Sequence, residues 1–127
     1  MDKLRVMVCV TGQVTCERLI REGARRAKEL EAELSVVHVA RPGAGVLGVP
    51  SEGEALEYLL RAATAYGAEM TVIHSDDAYR ALVRRAREIR ADLIVLGASD
   101  RSQRDFARWM ESDLPSVSVH TVYAGDA

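Results

Sequence analysis

Asparagine is missing from the 127 residues, lysine occurs twice against fifteen arginines, and only two cysteines are present, Cys9 and Cys16. Each shortage narrows what the chain can be. Two cysteines without C-x-x-C spacing cannot build a disulfide framework, and Cys9, inside an apolar run, reads as a small buried hydrophobe. The arginine bias fits a heat-adapted or a GC-rich source, two causes that composition does not separate. No apolar run reaches the roughly 20 residues that span a bilayer. Met1-Asp2-Lys3-Leu4 enters a strand-like run without the sections of a signal peptide, so a cytoplasmic location and no membrane partner are expected. A net charge of −2 supplies no field for nucleic acid. No Ser-His-Asp order, nucleophile elbow or isolated carboxylate pair occurs, and nothing argues for catalysis.

What is present is an ordinary globular composition, 48% hydrophobic and 28% charged, at a length suited to one domain over residues 1–127. Two periodicities alternate. Leu4–Val10, Leu34–Val39, Met70–Ile73, Leu93–Leu96 and Val117–Tyr123 are short, β-branched strand patterns. Between them lie amphipathic helices. The first carries an apolar stripe at Cys16, Leu19, Ile20, Gly23, Ala24, Ala27 and Leu30, with Thr15 placed to cap it. The second opens on the capping box Ser51-Glu52-Gly53-Glu54, has Ala55, Leu56, Leu59, Leu60, Ala63 and Tyr66 as its inner face, and ends at Gly67. The third starts after Ser75, Asp76 and Asp77, which suit a helix N-terminus. Its inner face is Ala78, Leu82, Ala86 and Ile89, and Arg84, Arg85, Arg87 and Arg90 form a solvated row. A short fourth helix is expected over Ser102–Met110.

Strands alternating with helices require right-handed crossovers. The pattern predicts an α/β doubly wound five-stranded parallel sheet, order 3-2-1-4-5, with helices on both faces. Such sheets bind ligands at the C-terminal strand ends where the winding reverses. That edge comprises the turn Thr11–Gln13, the strand end Val39–Ala40 and the loop Gly97–Ser102, with Val10, Thr11, Gly12, Gln13, Val39, Ala40, Gly97, Ser99, Arg101 and Ser102 as candidate ligand contacts. Gly43-Ala44-Gly45-Val46-Leu47-Gly48 matches G-x-G-x-x-G literally, but Val49-Pro50-Ser51 delays the next helix until the motif has ended, and a loop accounts for it better than a dinucleotide site. His38 and His74 could meet at the ligand edge. Two histidines fall short of the three or four ligands a metal needs.

Val6-Met7-Val8-Cys9-Val10-Thr11-Gly12, Glu17-Arg18-Leu19-Ile20-Arg21 and Ala32-Glu33-Leu34 to Val37-His38-Val39 resemble the first half of universal stress protein domains. Leu93-Ile94-Val95-Leu96-Gly97-Ala98-Ser99-Asp100-Arg101-Ser102 resembles the stretch leading into that family's nucleotide loop. The Cys-Val before the turn, Arg18-Leu19-Ile20-Arg21 and Val119-His120-Thr121-Val122 resemble in particular the stress-protein-like domain of the potassium sensor kinase KdpD. ATP-binding members have an aspartate after the first strand and a closing G-x2-G-x9-G-[ST]. Here Gly97 matches the first glycine, while Asp100, Met110 and Glu111 take the places of the second glycine, the third glycine and the hydroxyl residue. Thr11 stands at the aspartate, and Val39 at the residue that lines the adenine. Acidic replacements and a bulky methionine oppose a triphosphate. Arg101, Arg104 and Arg108 remain for a smaller anion.

The resemblance therefore implies a stress-protein-like regulatory or signalling module with a degenerate ATP phosphate loop, free-standing as read from Met1 to Gly125-Asp126-Ala127, that binds a small ligand or a signalling protein partner and is not an enzyme. ATP or another adenine nucleotide is the ligand class it suggests. The alternative is an ATP-binding member with a remodelled loop and slow ATPase activity, and a third reading is a metal- or redox-dependent enzyme using Cys9, His38 and His74. A homodimer is expected through strand 117–123, a final edge strand without Lys or Pro, with Trp109 and Tyr123 as apolar contacts or Trp109 instead packed in its own core.

Overall fold

The computed structural model describes residues 3–10, 16–40, 52–98 and 101–123. Five strands and four helices alternate: β1 Arg5–Val10, α1 Cys16–Leu30, β2 Glu33–Ala40, α2 Glu52–Ala65, β3 Glu69–His74, α3 Ala78–Ile89, β4 Leu93–Ala98, α4 Arg101–Asp113 and β5 Ser118–Tyr123. The strands form one sheet in the order β3-β2-β1-β4-β5, and each neighbouring pair is parallel. The expected winding is the observed one.

The uniform apolar runs form strands because both faces of the sheet are covered. Val6, Val8 and Val10 join Leu19, Ile20, Leu59 and Ala63 in a core beneath α1 and α2. Met7 and Cys9 point the other way, into a core with Leu82, Ala86, Ile94 and Met110 beneath α3 and α4. Helix ends follow local chemistry. Asp77 caps α3, its Oδ1 accepting from the Arg80 N–H at 3.1 Å. Gly67, at φ +74°, ends α2, and the Ala68 N–H donates back to the Ala63 carbonyl at 2.9 Å. That left-handed turn costs glycine nothing. The caps expected of Thr15 and Ser51 lie outside the described residues.

Four expectations change. α4 does not stop at Met110 but continues to Asp113, because its buried stripe runs on through Ala107 and Met110 to Leu114, whose N–H donates to the Met110 carbonyl at 2.8 Å. On α2, Leu59 and Ala63 are fully buried while Leu60 and Tyr66 are exposed; a helix over an edge strand has less sheet to lie on, and its buried stripe narrows. On α3, Val83 is buried and Ala78 only half-buried. Arg85 does not face solvent with its neighbours. It leans over β3, where its Nη2 donates to Thr71 Oγ1 at 3.4 Å.

α1 approaches β1 closely enough that a Cβ at Gly23 would overlap a Val8 methyl. Val8 belongs to the central strand and cannot yield without moving both neighbours. Gly23→Ala is expected to destabilise the fold by about 1–3 kcal/mol through overpacking, although alanine is the better helix former. Urea unfolding checks this; an unchanged or raised midpoint would show that α1 lies further from the sheet.

Candidate functional site

The winding reverses between β1 and β4: the chain leaves β1 towards β2 on one side and later returns to β4 on the other. Their C-terminal ends, with that of β2, define the crevice where a doubly wound sheet takes a ligand. The register aligns the rim. Val10 lies opposite His38 and Ala40 opposite His74, while Ala98 lies opposite Tyr123.

Of the candidate contacts, Val10, Val39, Ala40 and Gly97 end adjacent strands on this rim. Thr11, Gly12, Gln13 and Ser99 lie outside the described residues, as does the glycine-rich segment 43–48, and Arg101 and Ser102 are described only as the first turn of α4. The side chains of Val10 and Val39 fall on opposite faces. Val10 is buried in the core under α1 and α2, and Val39 packs, half-buried, on the core under α3. Only one of the two can therefore present its side chain to a given face of the rim.

His38 is the residue whose place the sequence pattern least revealed. It is 3% exposed, and its Nδ1 lies 3.0 Å from the Val10 carbonyl oxygen. A carbonyl only accepts, so Nδ1 carries the hydrogen and the ring clamps the last residue of β1 to β2. Its Nε2 is buried without a hydrogen-bond partner. His74 is exposed on the edge strand. No cluster of three or more His, Cys, Asp or Glu residues suited to a metal occurs among the described residues.

Gly97 has a packing reason to be glycine. A Cβ there would come within 3.1 Å of Leu19 Cδ1, so α1 reaches across the rim from β1 to β4. Met110 is fully buried in the core beneath α3 and α4, and Glu111 follows it inside the same helix. Trp109 is not a core residue: it is 55% exposed, and its ring meets Tyr79 of α3 edge-on at 5.8 Å. On the other face Glu22 ties α1 to β5, its Oε1 lying 3.3 Å from His120 Nε2. A hydrogen bond from Arg25 holds that carboxyl below its usual range, against some opposing desolvation.

A doubly wound sheet with an open switch point defines a class of nucleotide- and small-ligand-binding folds. The chain belongs to the universal stress protein family, whose profile it matches over residues 4–121. It is 44% identical over 120 residues to the sensor protein KdpD of Mycobacterium tuberculosis, a match covering 93% of this chain but only 13% of that protein. Among solved structures it resembles a universal stress protein in complex with cAMP (TM-score 0.69, 21% identity, 98% of this chain and 100% of the other). It also resembles the universal stress protein from Archaeoglobus fulgidus in complex with dAMP (TM-score 0.69, 20% identity, 95% and 98%). No helix among the described residues is long and apolar enough to cross a membrane.

Cys9, 2% exposed, has its thiol pushed up to about 12 by burial, so at neutral pH it is neither thiolate nor reachable. Iodoacetamide at pH 8 is expected to leave Cys9 unmodified in the native protein and to alkylate it fully in denaturant. Peptide mass spectrometry reads this directly, and rapid native modification would restore a redox role.

Proposed function

We propose that residues 1–127 act as one regulatory domain that binds a small adenine nucleotide bearing a single phosphate at the C-terminal rim of the sheet, and that it signals by binding without turning the nucleotide over. The observation that carries this reading is the placement of Met110 and Glu111. Both stand where the ATP-binding pattern has its last glycine and hydroxyl, yet both lie inside α4, and Met110 is wholly buried. Helical backbone there has its N–H groups committed to the preceding turn and has none free to wrap the outer phosphates of ATP. A smaller anionic site remains. α4 starts at Arg101, soon after β4 ends at Ala98, and a helix N-terminus at the open rim favours one negative group. The cAMP and dAMP of the similar structures are nucleotides of that size. The KdpD relative is named a sensor protein, which agrees with a signalling role.

Isothermal titration calorimetry is expected to show saturable binding of AMP or cAMP, with Mg-ATP at least tenfold weaker. Met110→Gly, which recreates the glycine of the ATP-binding pattern, is expected to cost about 2–5 kcal/mol of stability as a core cavity forms, without improving ATP affinity. ATP binding more tightly than AMP, or a gain in ATP affinity from that variant, would overturn the reading.

We also propose a homodimer through β5. Among the described residues this strand pairs only with β4, and the Ser118 N–H donates to the Asp92 carbonyl at 3.0 Å. The two-residue alternation therefore turns the main-chain groups of Val119 and Thr121 outward, where they can pair with a second copy. Trp109, exposed beside Tyr79 of α3, remains a candidate apolar contact of this dimer together with Tyr123. Val119→Pro removes an outward donor while sparing the rung to β4. It is expected to convert a dimer into a folded monomer by light scattering at tens of micromolar; a monomeric parent protein would defeat the proposal.

A further inference from the structure

β3 forms the opposite edge of the sheet, and its surroundings differ. Among the described residues β3 pairs with β2 alone. The Ser75 N–H donates to the Ala40 carbonyl at 3.1 Å, continuing the β2–β3 ladder, so by alternation the amides and carbonyls of Met70, Val72 and His74 face away from the sheet. Glu69–His74 contains neither Pro nor Lys, the residues that usually blunt an edge. On this side α3 packs mainly on β2 and β1, and only its flank reaches β3, through Arg85 and Thr71. A shallow recess of about 1010 Å³ remains, lined by Thr71 and Ile73 of β3 and by Arg80, Arg84 and Arg85 of α3.

The charge of this recess is uneven. Its acidic side chains are already engaged. Asp77 caps α3, Glu88 Oε2 lies 3.5 Å from Arg85 Nη1, and Asp113 accepts from the Tyr79 hydroxyl. Arg80 and Arg84 are exposed and pair with no carboxylate among the described residues. Arg85 Nε is buried without an acceptor. Arginine is a residue type that recurs where binding energy concentrates.

We infer that this edge docks an extended, acidic segment of a partner protein, which adds as a sixth strand beside β3. Main-chain bonds to Met70, Val72 and His74 would supply affinity, and the side chains on one face would supply specificity. The spacing fits. Arg80 and Arg84 are one turn apart, about 6 Å along the helix axis. Alternate side chains of a strand repeat at about 6.6 Å, so acidic residues two apart on the incoming segment meet successive arginines. The intervening side chains turn to the other face, over which α2 carries the exposed Leu60. A nucleic acid would satisfy the arginines but not the open ladder, which requires a polypeptide backbone.

The test uses a fluorescein-labelled ten-residue peptide of alternating Glu and Val, titrated with the whole chain and followed by anisotropy at low salt. Saturable binding is expected, at least tenfold tighter than for the matching Lys-Val peptide. Arg80→Glu with Arg84→Glu is expected to weaken it at least tenfold, and Val72→Pro, which removes an outward N–H and spares the β2 rungs, is expected to weaken it by a similar factor. Should Val72→Pro disturb folding, amide hydrogen exchange of the unmodified chain decides: peptide should slow exchange at Met70, Val72 and His74 at least tenfold. Four results would overturn the inference. They are no saturable binding, binding indifferent to both sets of variants, displacement of the peptide by a single-stranded oligonucleotide without protection of those amides, and protection that rises with protein concentration alone, which would mark a second copy as the occupant.

Discussion

Everything in this fold is referred to β1. From Val6 to Val10 no side chain is more than 2% exposed, and the strand is paired on both sides, so it supplies alternate residues to two cores at once. Fully burying a Val or Met side chain is worth about 1.5–3 kcal/mol, and the four in this run together rival the whole net stability of a domain this size. α1 is drawn down on that strand at Gly23 and crosses to β4 at Gly97. Two glycines thus set the height of the helix above the sheet, and through it the shape of the C-terminal rim.

That constraint changes how the nucleotide motif is understood. Gly97 matches the first glycine of a phosphate loop, yet its lack of a side chain is already required by Leu19. Met110 matches a later glycine, yet it is a core residue whose side chain fills the space between α4 and the sheet. Met110 and Glu111 thus lie within a packed helix of the chain. At the C-terminal end of these strands His38 fixes β1 to β2 through the Val10 carbonyl.

The two sheet edges divide the surface by electrostatics. β5 lies beside the Glu22–Arg25–His120 cluster, in which Glu22 pairs with Arg25 and lies against His120. β3 lies beside arginines whose carboxylate neighbours are occupied with capping and with α3–α4 contacts. The two edges therefore present the same kind of strand ladder beside different charge.

Strand order, parallel pairing and the two-sided core were legible in the sequence, because burial on both faces leaves uniform apolar runs and because crossover handedness admits few arrangements. The Asp77 cap and the Gly67 stop were legible for the same reason: each is dictated by bonds within a few residues. The rest was not local. Nothing in the spacing of Leu59 and Leu60 says that α2 covers an edge strand and buries only one of them, and nothing in the arginine row says that Arg85 alone folds back onto Thr71. Trp109 as an exposed partner of Tyr79, and the full burial of Met110, depend on where α4 lies against α3. The sequence by itself determined which elements form and how they wind, since those follow from periodicity and short-range hydrogen bonding. Only the tertiary structure decided which side chains meet at the rim and at the edges, since those contacts join residues far apart in the chain.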